Sequence, residues 1–200
     1  DKDLQEIGYG RCYLIKGDPL GNIIWVKTHF GTSDDTFTAL ATDALGNTYA
    51  SGTFVSDTIT IGSGAMTLTN NDTTGSGSID FYIVKYDSSG NLIWTQQAAG
   101  GFNERIVGLN INSNGDIAIT GQFSSNSLTF GNLTLSKPFT FSNSCLTAKL
   151  DSSGTLLWLK YAGDDATPQS IGIDSAGIVY SIGNFGTSFT IGTFNFTNSG

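Results

Sequence analysis

Two kinds of hydrophobic pattern recur along the chain. In one, apolar residues follow each other without a polar break, as in Cys12-Tyr13-Leu14-Ile15 and Phe81-Tyr82-Ile83-Val84. A strand of that kind hides both faces, as in a sheet stacked between neighbouring sheets. In the other, apolar and polar residues alternate, as in Thr58-Ile59-Thr60-Ile61 and Leu133-Thr134-Leu135. One face of such a strand is wet, which places it at a rim. In the central stretch, Tyr82 to Asp87 predicts a strand, Ser88-Ser89-Gly90-Asn91 a turn, and Leu92 to Gln97 its hairpin partner. After Gly100-Gly101, Ile106 to Ile111 predicts a third strand, Asn112 to Gly115 a turn, and Asp116 to Gly121 a fourth, completing a four-stranded meander. Leu128 to Phe130 and Leu133 to Leu135 flank Gly131-Asn132 as an appended hairpin, with counterparts at Ile59 to Gly62 and Phe189 to Gly192.

The pattern repeats. Trp25, Trp94 and Trp158 are 69 (94 − 25) and 64 (158 − 94) residues apart. The same register aligns Lys16, Lys85 and Lys149; Gly21, Gly90 and Gly154; Gly46, Gly115 and Gly177; Gly52, Gly121 and Gly183; and Phe54, Phe123 and Phe185. The expected organisation is a module at 12–80, a second at 81–144 and a third at 145–200, preceded at 1–11 by a leading segment or the end of a preceding blade. The expected class is all-β, a β-propeller-type repeat of about three four-stranded blades, each with an extra short hairpin. Closed single-chain rings have roughly four to eight blades. A larger array or a homo-oligomer is therefore expected to complete the ring.

The run Phe81-Tyr82-Ile83-Val84-Lys85-Tyr86-Asp87-Ser88-Ser89-Gly90-Asn91-Leu92-Ile93-Trp94, with the spaced residues Asp43, Gly46, Asn47, Tyr49, Gly52 and Phe54, resembles the bacterial SBBP-type β-propeller repeat. The likeness spans about residues 12–200. It implies an exported or surface-anchored setting in bacteria and no defined activity. The third module departs from it at Leu150, where the second has Tyr86, and at Ile178, where the first has Asn47.

Composition narrows the partners. Two hundred residues with 38% hydrophobic content can bury a sizeable core, and the low charged fraction of 13% with 26 glycines suits short strands joined by turns. A formal charge of −8 and no basic cluster argue against nucleic acid. No stretch reaches the roughly 18 to 20 apolar residues that a membrane-crossing helix needs, so direct membrane insertion is not expected. No leader precedes Asp1, so an exported protein would appear here as its mature form or as a piece of a longer chain.

Candidate chemistry is sparse. Cys12 and Cys145 fall at equivalent positions of the first and third modules, too far apart to bridge, and are expected as buried free thiols. Asp18, Asp87 and Asp151 begin aligned turns and are read as satisfying their own backbone amides rather than holding a metal. Asp34-Asp35, Asn103-Glu104 and Asp164-Asp165 occupy roughly equivalent connections and are expected as solvated loops. His29, the sole histidine, has no recognisable nucleophile beside it. The tryptophans are expected as core anchors. The aligned lysines are expected to snorkel or to pair with a neighbouring module's carboxylate. Asp57-Thr58-Ile59, Asp72-Thr73-Thr74 and Asp174-Ser175-Ala176 resemble short bacterial O-glycosylation sites.

The reading reached is a non-enzymatic scaffold or binding module, secreted or at a cell surface, as part of an adhesin or a large secreted complex. It has no catalytic residues, metal or cofactor, and takes a protein or a surface glycan as partner. A lectin-like propeller using Tyr49, Phe102 and Tyr180 is the first alternative, and a polysaccharide-degrading domain the second.

Overall fold

A computed structural model describes residues 11–62, 64–71, 77–137 and 143–198. The leading segment 1–10 and the Asp72-Thr73-Thr74 motif lie outside them. The described residues form β-strands and turns with no helix. In the first module these are β1 (Arg11–Gly17), β2 (Ile23–Phe30), β3 (Thr36–Thr42), β4 (Thr48–Phe54), β5 (Thr58–Ile61) and β6 (Met66–Thr69). The second holds β7 (Asp80–Tyr86), β8 (Leu92–Ala99), β9 (Glu104–Ile111), β10 (Ile117–Phe123), β11 (Ser127–Phe130) and β12 (Leu133–Ser136). The third holds β13 (Ser144–Leu150), β14 (Leu156–Asp164), β15 (Ala166–Ile173), β16 (Val179–Phe185), β17 (Ser188–Ile191) and β18 (Phe194–Thr197). The all-β class and the antiparallel, propeller-type repeat are as the sequence predicts.

The turns are local chemistry repeated. The carboxylate of Asp87 accepts from the backbone amides of Ser89 and Asn91 and from the Asn91 side chain, at 2.8 to 2.9 Å. Asp18 and Asp43 do the same, Asp151 and Asp174 accept the two backbone amides without an asparagine side chain, and Asn112 substitutes its amide oxygen. Each such turn closes on a glycine at positive φ, where a side chain would be strained. These hydrogen bonds hold the Asp18, Asp87 and Asp151 carboxyls below the usual carboxylate range.

The sheets cut across the modules, which corrects the expected meander. The order in the central sheet is β12-β11-β8-β7-β4-β3, and β14-β13-β10-β9 form the next. Thus β4 of the first module pairs with β7 of the second, and β10 of the second with β13 of the third. β8 does not pair with β9; Gly100-Gly101-Phe102-Asn103 instead carry the chain from one sheet to the next. The appended hairpin extends the outer edge, with Phe130 paired to Ala98 and Phe30 to Thr60. β11 buries Leu128 and Phe130 and exposes Ser127 and Thr129, the alternation expected of a rim strand.

Two cores fill the seams on either side of the central sheet. Tyr82, Val84 and Tyr86 point to the β1-β2 side, where they meet Leu14 and Trp25. Phe81 and Ile83 point the other way, against Ile106, Ile119, Phe123 and Leu146. β7 is therefore buried on both faces, as its unbroken apolar run requires. β1 carries the same pattern but is not: Tyr13 is 70% and Ile15 46% exposed, and no sheet of the described residues covers that face.

Candidate functional site

The aligned tryptophans, lysines and glycines together form an intersheet latch. The Trp25 indole N–H donates to the Ser88 carbonyl (3.3 Å) and the Trp94 N–H to that of Ser152 (3.4 Å). Each ring lies on the turn glycine of the following module: a Cβ on Gly90 would sit 3.1 Å from Trp25, and one on Gly154 2.9 Å from Trp94. The lysines reach the same turns, Lys16 donating to Ser88 O (2.9 Å) and Lys85 to Ser152 O (3.0 Å). They bind carbonyls rather than carboxylates; Lys149, with no following turn, pairs with Asp116 at 2.8 Å. Trp25 is buried, as a core anchor should be, whereas Trp94 and Trp158 are half-exposed over their seams.

Of the residues expected as solvated loops, Asp34, Asn103 and Asp165 are exposed, whereas Asp35 and Glu104 are built in. Asp35 is buried and accepts from the amides of Val55 and Ser56 and from the Ser56 hydroxyl. Glu104 is fully buried and takes the Ser125 amide and hydroxyl at 3.2 and 2.5 Å. Burial pushes its carboxyl up to about 8, with the neighbouring Asp80 carboxylate adding to the rise. The second Glu104 carboxyl oxygen is buried with no hydrogen-bond partner among the described residues. Asp165 accepts the Thr187 amide (3.1 Å) from a backbone φ of 55°. Asp35, Glu104 and Asp165 thus staple the start of an inner strand to the segment after the next one.

His29 is likewise spent. Its Nδ1 and Nε2 bond the hydroxyls of Tyr82 (2.9 Å) and Tyr86 (2.6 Å) across the seam. Burial lowers its pKa to about 4, so the ring is neutral and bridges as one donor and one acceptor. Tyr82→Phe leaves one buried ring nitrogen unmatched and is expected to cost about 1–3 kcal/mol in urea unfolding. Cys12 and Cys145 are free, the first beside the Tyr82 hydroxyl (3.8 Å) and the second buried.

The three aromatics expected to bind a ligand are not brought together on one surface. Tyr49 is fully buried, its hydroxyl on Asp43 (3.1 Å), its ring against Trp94 and under the Lys85 ammonium. Its proposed role as an exposed stacking platform is corrected: Trp94 and Lys85 from the adjoining strands cover it. Tyr180 holds the equivalent position and the equivalent bond to Asp174, yet is 57% exposed, because among the described strands β16 has no neighbour beyond β15. Phe102 lies half-exposed on the β8–β9 connection, its amide bonded to Ser125.

What sequence reasoning missed is a cavity of about 460 Å³ between β13 and the β15-β16 pair. Cys145, Thr147, Pro168, Gly183, Phe185 and Phe189 line it. In the preceding seam the corresponding space is filled by Leu146 and Ala148, which are fully buried. The cavity is apolar and ends at the unpaired edge of β16. No single-position signal marks it; it arises because strands equivalent to β7 and β13 are missing there.

No family model matches the chain. One curated relative does. An uncharacterized WD repeat-containing protein of Acanthamoeba polyphaga mimivirus is 29% identical over 125 residues, 60% of this chain. The chain spans only 9% of that relative's length. The likeness is to a repeat-bearing protein, in keeping with the repeated sheets, and it does not single out the SBBP type. Among the described residues, no three His, Cys, Asp or Glu side chains gather as a metal site.

Proposed function

We propose that the chain is a non-enzymatic protein-interaction scaffold built of propeller-type repeats, binding through the open end at β15 to β18. One observation carries this reading: the groups able to do chemistry are engaged internally, while an apolar cavity and an unpaired strand edge stand open beside each other. Buried acids capped by Ser56 and Ser125, a histidine held between two tyrosines, and carboxylates closing their own turns leave no nucleophile–base pair among the described residues. Exposed apolar side chains at Ile182, Phe194 and Phe196 supply surface for a polypeptide. The WD repeat relative supports the scaffold reading, and the SBBP-like run at Phe81 to Trp94 supports a secreted or cell-surface setting, in an adhesin or a large secreted complex.

A photo-crosslinking residue at Ile191, on the cavity wall, tests this. Covalent capture of polypeptide, with no glycan-array signal, is the expected outcome. Sugar binding that disappears on replacing Phe102 or Tyr180 would instead establish the lectin alternative.

A further inference from the structure

The open end matches a specific segment of this same chain. In the two complete sheets, the fourth strand of one module pairs with the first strand of the next in a constant register: Tyr49 opposite Lys85 and Gly52 opposite Tyr82, then Ala118 opposite Lys149 and Gly121 opposite Leu146. Continuing that register from β16 puts Tyr180 opposite Lys16, Ser181 opposite Ile15 and Gly183 opposite Tyr13. Among the described residues, β1 is paired on one side only, with β2, and β16 on one side only, with β15. We propose that β16 and its adjoining cavity are a docking site for the β1–β2 hairpin of a second copy of this chain, joined head to tail.

Three features of the two surfaces fit. The face of β1–β2 that would enter the cavity carries Tyr13, Ile15 and Val26, all exposed, while their counterparts Leu146, Ala148 and Leu159 are buried in the preceding seam. The receiving Phe185 is 39% exposed, whereas its equivalents Phe54 and Phe123 are fully buried. The latch is also divided between the two ends. Trp158 has no turn glycine against it, and Gly21, the one turn glycine of the aligned trio without a tryptophan, has nothing within 4 Å of where a Cβ would be. Docking would bring Trp158 onto Gly21 and within reach of the Pro19 carbonyl, as Trp25 lies on Gly90 and bonds Ser88. Tyr180 would gain Lys16 of the second copy, the counterpart of the Lys85 that covers Tyr49. A heterologous contact of this kind builds closed rings or open filaments according to whether the rotation closes.

This rests on the scaffold reading, and the experiment separates the two. Light scattering at about 100 μM, well within reach of a micromolar association, is expected to give masses in multiples of 21.1 kDa. Ile15→Asp spoils only the hairpin and Ser181→Asp only the receiving edge, so each variant alone is expected as a 21.1 kDa monomer. Mixed, they retain one intact hairpin and one intact edge and are expected to form a 1:1 dimer, which an unfolded variant could not do. A monomeric parent chain, assembly that survives both substitutions, or a mixture that stays monomeric overturns the second-copy proposal. Crosslinking of a different polypeptide at Ile191 by a monomeric parent would overturn it while leaving the scaffold reading standing.

Discussion

Glu104→Gln is expected to remove most of the pH dependence of stability between about pH 6.5 and 8 and to stabilise the protein at the upper end of that range. Glu104 is fully buried and its carboxyl is held up at about 8, against 4.5 for an ordinary glutamate. A folded-state value above the unfolded one means that the folded protein binds the extra proton. The stabilisation is then complete below about pH 4.5 and is lost as pH rises through 8. A shift of that size corresponds to roughly a few kcal/mol at high pH, since one unit is worth about 1.4 kcal/mol. His29 works in the opposite sense: its value is depressed from 6.5 to about 4, so it adds stability as pH rises through that interval. The two oppose each other from about 4.5 to 6.5, and only Glu104 of this pair acts between 6.5 and 8. Urea midpoints measured across that upper interval should fall for the parent chain and stay level for Glu104→Gln. An equal fall in both would place the titrating group elsewhere.

Gly121→Ala is expected to destabilise by about 3 kcal/mol or more, a large effect for a single added methyl group. A Cβ at this position would lie 2.1 Å from the Arg105 carbonyl oxygen, inside any allowed contact, and the obstacle is backbone rather than a side-chain tip. The cause is a bulge, where the register between β9 and β10 shifts at Thr120/Gly121 and the inner strand folds toward its partner. Gly52 and Gly183 meet the carbonyls of Thr36 and Thr167 at 2.6 and 2.5 Å beside the same irregularity. Gly172→Ala is the control. Nothing lies within 4 Å of that position and its φ is not positive, so the change should be neutral or stabilise by roughly 0.4–1 kcal/mol. Comparable losses from both substitutions in thermal or urea melts would show that steric crowding at the bulge is not the cause.

Local chemistry and recurrence were enough to read much of this protein from its residues. The turns are legible because an Asp or Asn carboxylate or amide closes on amides two and four residues ahead, wherever the fold puts it. The strands are legible because unbroken and alternating apolar runs demand different burial, and Tyr82 to Val84 against Leu128 to Phe130 obey that demand. The equivalence of Trp25, Trp94 and Trp158 marked the repeat, and so the all-β class, before any contact was known.

Tertiary structure decided the neighbours. Nothing within a module says that β4 pairs with β7 of the next one rather than with a strand of its own, because pairing is set by which edges meet after the chain crosses to the next sheet. Tyr49 and Tyr180 share a position, a hydroxyl bond and a local backbone, and differ in exposure only because Trp94 and Lys85 lie over one and no strand over the other. Asp35 and Glu104 read as loop acids because their partners, Ser56 and Ser125, stand 21 residues further on. Sequence determined the elements, whose bonds close within a few residues; only the assembled sheets determined which surfaces are covered, because burial is a property of what packs alongside.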